Sequence, residues 1–145
     1  MRITSFTDYA LRVMIYLAAE PGRKATIKEI ATSFDISKNH LMKVVHHLSQ
    51  QGYIESSRGK NGGLCLGRPP GTINLGKLFR ETETDLSLVE CFTEHDTCHI
   101  TRLCQLKHIL FEAQQAFIKT LDQYSLADLV APQDQPELLK LLDLK

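Results

Sequence analysis

Apolar residues first recur at helical spacing at Ala10, Val13, Met14, Leu17 and Ala18. They follow Ser5-Phe6-Thr7-Asp8, which has the Ser-x-x-Asp form of a helix start. Pro21-Gly22 ends that helix. Thr26-Ile27-Lys28-Glu29 is a second capping-box pattern and opens a short helix to about Ser33. Phe34-Asp35-Ile36 reads as a turn, and Ser37 as the N-cap of a third helix to about Gln50. Leu41, Val44, Val45 and Leu48 form its inward face, and Gly52 stops it. Two short extended runs, 53–57 and 64–67, flank Arg58-Gly59-Lys60-Asn61-Gly62-Gly63, where Gly and Asn-Gly permit the positive φ of a hairpin turn. A short helix is expected over 75–80 and a long one over 102–124. In the long helix Leu103, Leu106, Leu110, Ala113, Phe117, Leu121 and Tyr124 alternate in steps of three and four. That seam is narrow, of the coiled-coil kind, and predicts pairing with a second copy. A Leu-rich tail follows Pro132, and the stretch 81–101 has no clear period.

Helix, short helix, turn, helix and Gly-rich hairpin, in that order, describe a winged helix-turn-helix. The expected fold is mainly α, with a small β-hairpin wing and a long C-terminal dimerisation helix. The third helix turns Lys38, Asn39, His40, Lys43, His46 and His47 away from its apolar face. Its first turn would meet base edges in a major groove, and its N-terminal amides a phosphate. The candidate DNA-contacting set is Lys28, Ser37, Lys38, Asn39, His40 and Lys43 from the helices, with Arg58, Gly59, Lys60 and Asn61 from the wing. Arg58 suits a narrow minor groove or a phosphate, and Lys43 and Lys60 suit phosphates.

Formal net charge over the 145 residues is zero, but the distribution is not even. Residues 1–80 carry 12 Lys/Arg against 5 Asp/Glu, a net of +7; residues 81–145 carry 5 against 12, a net of −7. A basic half that faces a polyanion and an acidic half that faces elsewhere fit a DNA binder. The first residues hold no long apolar run, and Ala10 to Ala19 is too short to span a bilayer, so a cytoplasmic protein is expected. The chain has no nucleophile–base motif, phosphate loop or dinucleotide fingerprint, which argues against an enzyme.

Cys91, Cys98 and Cys104 lie within 14 residues, with six and five residues between them, beside polar Glu94, His95, Asp96 and His99. Soft thiolates so clustered hold a soft metal or an iron–sulfur cluster. Paired Cys-x-x-Cys knuckles of structural zinc sites are absent, and the wider spacing suits three thiolates plus one other ligand. Zinc with His95 or His99 as fourth ligand, and three thiols without metal, stand as alternatives. The implied division is 1–80 for DNA, 81–101 for the cluster-binding loop and 102–145 for the dimerisation helix and tail. Cys65, on the second wing strand, reads as structural.

Ser5-Phe6-Thr7-Asp8-Tyr9-Ala10-Leu11-Arg12, the Arg58-to-Gly63 wing, Cys98-His99-Ile100-Thr101 and Leu126-Ala127-Asp128-Leu129 together resemble the Rrf family of iron–sulfur winged-helix regulators, nearest its nitric-oxide-sensing repressors. The resemblance implies a [4Fe-4S] or [2Fe-2S] cluster on Cys91, Cys98 and Cys104, with Asp8 of a partner subunit as fourth ligand. Tyr9 and Arg12, about one turn away, would cover the cluster or pair with Asp8. It further implies a homodimer on an inverted-repeat operator in double-stranded DNA, released when nitric oxide damages the cluster. A regulator of cluster-assembly genes responding to cluster supply or redox state is the second reading.

Overall fold

The computed structural model, which describes residues 1–144, is built around its first helix. Helix α1 (Ser5–Ala19) buries Thr7, Ala10, Val13, Met14, Tyr16, Leu17, Ala18 and Ala19. The predicted stripe is therefore only part of what it hides: α1 is enclosed on more than one side. Its cap differs from expectation. Thr4, not Ser5, is the N-cap, and its Oγ1 accepts from the Thr7 amide at 3.3 Å. Asp8 is thereby freed from capping and pairs with Arg12 one turn on, Oδ2 to Nη2 at 3.0 Å.

Helix α2 (Ile27–Phe34) opens with the predicted box: Thr26 Oγ1 accepts from the Glu29 amide at 3.1 Å, and Glu29 Oε2 accepts from the Thr26 amide at 2.6 Å. Asp35, at φ 52°, turns the chain into α3 (Lys38–Gln50), which buries Leu41, Val44, Val45 and Leu48 as expected. Strands β1 (Ile54–Ser57) and β2 (Gly63–Leu66) pair antiparallel, Ile54 opposite Leu66 and Ser57 opposite Gly63. The hairpin is anchored by mutual bonds between Ala25 and Leu64 at 2.9 and 2.7 Å, so the α1–α2 connection acts as a short third strand.

Helix α4 (Leu75–Thr82) is capped by Asn74, whose Oδ1 accepts from the Lys77 amide at 2.9 Å. The long helix α5 (Gln105–Leu121) is shorter than the expected 102–124. Residues Thr101–Leu103 form a 3-10 turn and Cys104 is extended at φ −76°, ψ 107°. At the other end the Tyr124 carbonyl accepts from the Leu75 amide at 3.0 Å, which draws the chain out of the helix. Much of the apolar seam faces outward, Leu103 at 87% and Leu106 at 59% exposed; Ile109, beside the seam, is 60% exposed, and Ile118 alone among the described residues of α5 is buried. The chain then returns through a 3-10 turn at Leu126–Val130 to α6 (Gln135–Leu141). Leu126, Leu142 and Leu144 are buried in the core around α1. Gln135 Nε2 donates to the Ala19 carbonyl at 2.9 Å, and Ser33 Oγ to that of Leu142 at 3.2 Å. The Leu-rich tail is thus packed on the amino-terminal half.

Gly76 fixes how closely α4 and the end of α5 approach. A Cβ there would lie 1.9 Å from Asp122 Oδ1 and 2.9 Å from the Asp122 backbone nitrogen. Asp122 also pairs with Arg80 at 2.9 Å, and its carbonyl accepts from Asn74 Nδ2 at 2.7 Å, so its retreat would strain both contacts. Gly76→Ala is expected to cost about 1–3 kcal/mol in urea unfolding, the range for overpacking.

Candidate nucleic-acid interface and metal centre

The first turns of α2 and α3 and the wing converge. Lys28, Lys38, Ser57, Gly59 and Gly62 line one open groove of about 380 Å³. Lys38, Asn39, His40, Lys43 and His46 are exposed along α3, and Arg58, Gly59, Lys60 and Asn61 at the wing tip. Ser37 occupies the N-cap position without a side-chain cap bond. The first amides of α3 therefore remain open to an anion such as a DNA phosphate. The tip is tight for a steric reason. Gly59 has φ +101°, and a Cβ on Gly62 would lie 2.4 Å from the Ser57 carbonyl oxygen.

One predicted exposed residue of α3 is not outward. His47 is half-buried: its Nε2 lies 3.0 Å from the Glu81 carbonyl oxygen and its ring meets Phe6 edge-on at 5.4 Å. The helix turns it towards α1 and α4 because its neighbours Val44 and Leu48 already face the core. Met42, by contrast, is 51% exposed among the polar residues of the reading face. His40 stacks on Tyr9 at 6.3 Å. Phe6 and Tyr9, on either side of Asp8, thus both touch α3.

Cys91 lies in a 3-10 turn (Glu90–Phe92), Cys98 is exposed, and Cys104 precedes α5; all three are free thiols. The loop between them is knitted by Glu90 Oε1, which accepts from the Thr97 amide at 2.9 Å and its hydroxyl at 2.5 Å. Asp96 Oδ1 accepts from the Cys98 amide at 3.0 Å. These bonds, first from the Thr97 hydroxyl for Glu90 and from the Cys98 amide for Asp96, hold both carboxyls below their ordinary range. The loop so carries fixed negative charge at neutral pH. Phe92 packs edge-on against Phe111 of α5 at 6.1 Å.

Among the described residues no three His, Cys, Asp or Glu side chains come together as a ready metal site. The three cysteines share one loop without converging, and Asp8 does not join those of its own chain. What fits a soft metal is the donor chemistry: three free thiols, none sealed in the core, on one short segment. Cys65 is half-buried on β2, its Sγ 3.9 Å from the Glu55 carbonyl oxygen, apart from the others.

Comparison with known proteins identifies the group. The Rrf2 family, described as an iron-dependent transcriptional regulator, matches residues 3–132. The chain belongs to the Rrf2 family. It is similar to the HTH-type transcriptional regulator NsrR of Bacillus subtilis, 49% identical over all of this chain and 99% of that one. NsrR of Geobacillus kaustophilus is 47% identical over 98% of this chain and 97% of its own. Among solved structures, CymR (YrzC), titled the global cysteine regulator of B. subtilis, superposes with a TM-score of 0.72 at 27% identity, covering 90% of this chain and 96% of that one. The IscR of T. potens also gives 0.72 over 90% of this chain and 86% of its own, at 24% identity, a likeness of fold. The expected winged helix-turn-helix is confirmed, and this Rrf2 protein is a transcriptional regulator and not an enzyme. No helix among the described residues is long and apolar enough to cross a membrane.

Arg58→Ala and Lys38→Ala are each expected to lower the slope of log affinity against log salt by about one in duplex-DNA titrations. An unchanged slope in either variant removes that residue from the phosphate-contacting set.

Proposed function

We propose that this chain is a DNA-binding repressor that works as a homodimer on an inverted-repeat operator and releases it when nitric oxide damages an iron–sulfur cluster. The observation that carries the reading is the full-length 49% identity to a regulator named NsrR, in a chain with three free cysteines on one loop. Cys91, Cys98 and Cys104 would hold the cluster of their own chain, and Asp8 of the partner subunit would supply the fourth ligand. When bound, the cluster supplies a nitric-oxide-reactive iron centre with one weakly held corner.

The protein's own residues suit these roles. Lys28, Lys38, Lys43, Arg58 and Lys60 place positive charge along one surface, which positions the protein on phosphates. Asn39, His40 and the exposed Met42 stand where base edges would be read, Met42 against a thymine methyl. The exposed apolar surface of α5, Leu106 and Ile109 included, gives a second copy an apolar strip to cover. Asp8 is tied only by a half-exposed pair with Arg12, of a kind worth about 1 kcal/mol or less, so it can be surrendered to another ligand at small cost. Once engaged across the dimer it would hold Phe6 and Tyr9, and through them His47 and His40 of α3. Loss of that tie would let the reading helix shift.

Protein purified without oxygen is expected to be brown, to contain iron and acid-labile sulfide, and to bleach on adding nitric oxide. Colourless or zinc-bearing protein after reconstitution overturns the cluster reading. Asp8→Ala is expected to keep the colour but to blunt the nitric-oxide response of DNA binding by about five-fold or more, the low end of measured couplings between sites. Wild-type behaviour of Asp8→Ala in titrations with and without nitric oxide removes the cross-subunit tie.

A further inference from the structure

The last turn of α4, immediately before the cysteine loop, grips both DNA-side helices. Glu83 is 7% exposed, and its Oε2 accepts from the Thr4 amide at 3.0 Å, the Thr4 hydroxyl at 3.1 Å and the fully buried Thr7 hydroxyl at 2.7 Å. Thr4 and Thr7 lie 79 and 76 residues earlier in the chain. Among the described residues no cation pairs with this carboxylate; it is met by hydroxyls and by the amino end of α1, whose dipole favours it. Two residues back, the Glu81 carbonyl faces His47 Nε2 of α3 at 3.0 Å, and the Glu81 carboxylate accepts from the buried Tyr53 hydroxyl just past α3. Burial first, and then Glu81 itself, push the Tyr53 phenol up, so it remains a donor.

Thr82, between the two grips, bonds back to the Leu78 and Phe79 carbonyls at 3.0 and 3.2 Å, which stiffens the turn. The far end of the cysteine loop runs into α5, which returns to the same helix through Phe117 on Phe79 at 5.3 Å. Both exits of the loop therefore meet on α4, whose tip holds α1 through the Glu83 carboxylate, α3 through the Glu81 carbonyl at His47, and the segment just past α3 through the Glu81 carboxylate at Tyr53. A carboxylate buried without a cation is costly unless fully hydrogen-bonded. All three bonds converge on one oxygen of Glu83, so a displacement of the loop would strain them together.

We propose that Glu83 and Glu81 are positioning residues that transmit the state of the cysteine loop to α1 and α3. The inference rests on the regulatory reading above, and a separate observable tests it. The probe is a duplex selected from a random library by cluster-loaded wild-type protein. Affinity for it is measured for loaded and nitric-oxide-treated protein, in wild type, Glu83→Gln and Tyr53→Phe. Hydrogen exchange of amides 4–8 is followed in the same variants without cluster. Transmission predicts that the loaded-to-treated affinity ratio, about ten-fold or more in wild type, falls below about three-fold in Glu83→Gln. A smaller fall is expected in Tyr53→Phe, with faster exchange at residues 4–8 in Glu83→Gln. A merely structural contact would weaken both states equally and keep the ratio; that result overturns the proposal. Thr7→Val, which removes the shortest of the three bonds at constant shape, supplies the same readout where Glu83→Gln does not fold. Wild-type protein with equal affinity in both states overturns the functional reading itself, and this inference with it.

Discussion

The enclosure of α1 is the constraint on which the remainder depends. A surface helix hides one stripe; α1 hides residues around its circumference, with Ala10, Val13, Met14 and Ala19 fully inaccessible. Helices α2, α3, α4 and α6, strand β2 and the turn at Leu126–Val130 all pack on it. Protein interiors are close-packed, so α1 cannot shift without its neighbours. Its amino-terminal turns touch α3 through Phe6–His47 and Tyr9–His40, and they carry Asp8 at the surface between those contacts. A displacement applied at Asp8 or at Glu83 is therefore delivered to α3.

Charge divides along the same line. The basic surface formed by α2, α3 and the wing lies on the side where a polyanion would dock, while the cysteine loop carries carboxylates held ionised by their own hydroxyl and amide partners.

Much of this was legible in the order of residues. The α1 stripe, the Thr26–Glu29 box and the inward face of α3 rest on local rules of period and capping and appear as expected; in the wing positive φ falls on Gly59 and Gly63, whereas Asn61-Gly62 does not adopt it and Gly62 is needed for close approach instead. Local rules fail where distant segments decide. Ser5 and Thr4 are both good caps; Thr4 wins, and the same hydroxyl also bonds Glu83 from the far side of the domain. Apolar periodicity carried α5 past both of its true ends, because the extended Cys104 and the Leu75–Tyr124 bond interrupt a pattern that composition alone continues. His47 shares the polar character of His46 yet points inward, a difference set by Phe6 and by the Glu81 carbonyl. The carboxylates of Glu81 and Glu83 have no local signature; only the fold, which brings the end of α4 to Tyr53 and to the start of α1, shows what they hold.

The central claim is that the cysteine loop and the DNA-reading helices move as one unit through α1. Hydrogen–deuterium exchange on anaerobically purified wild-type protein, before and after nitric oxide, tests it most directly. The account predicts that exchange rises together over 84–104, over the first turns of α1 and over α3. A rise confined to 84–104, with α1 and α3 unchanged, would contradict it.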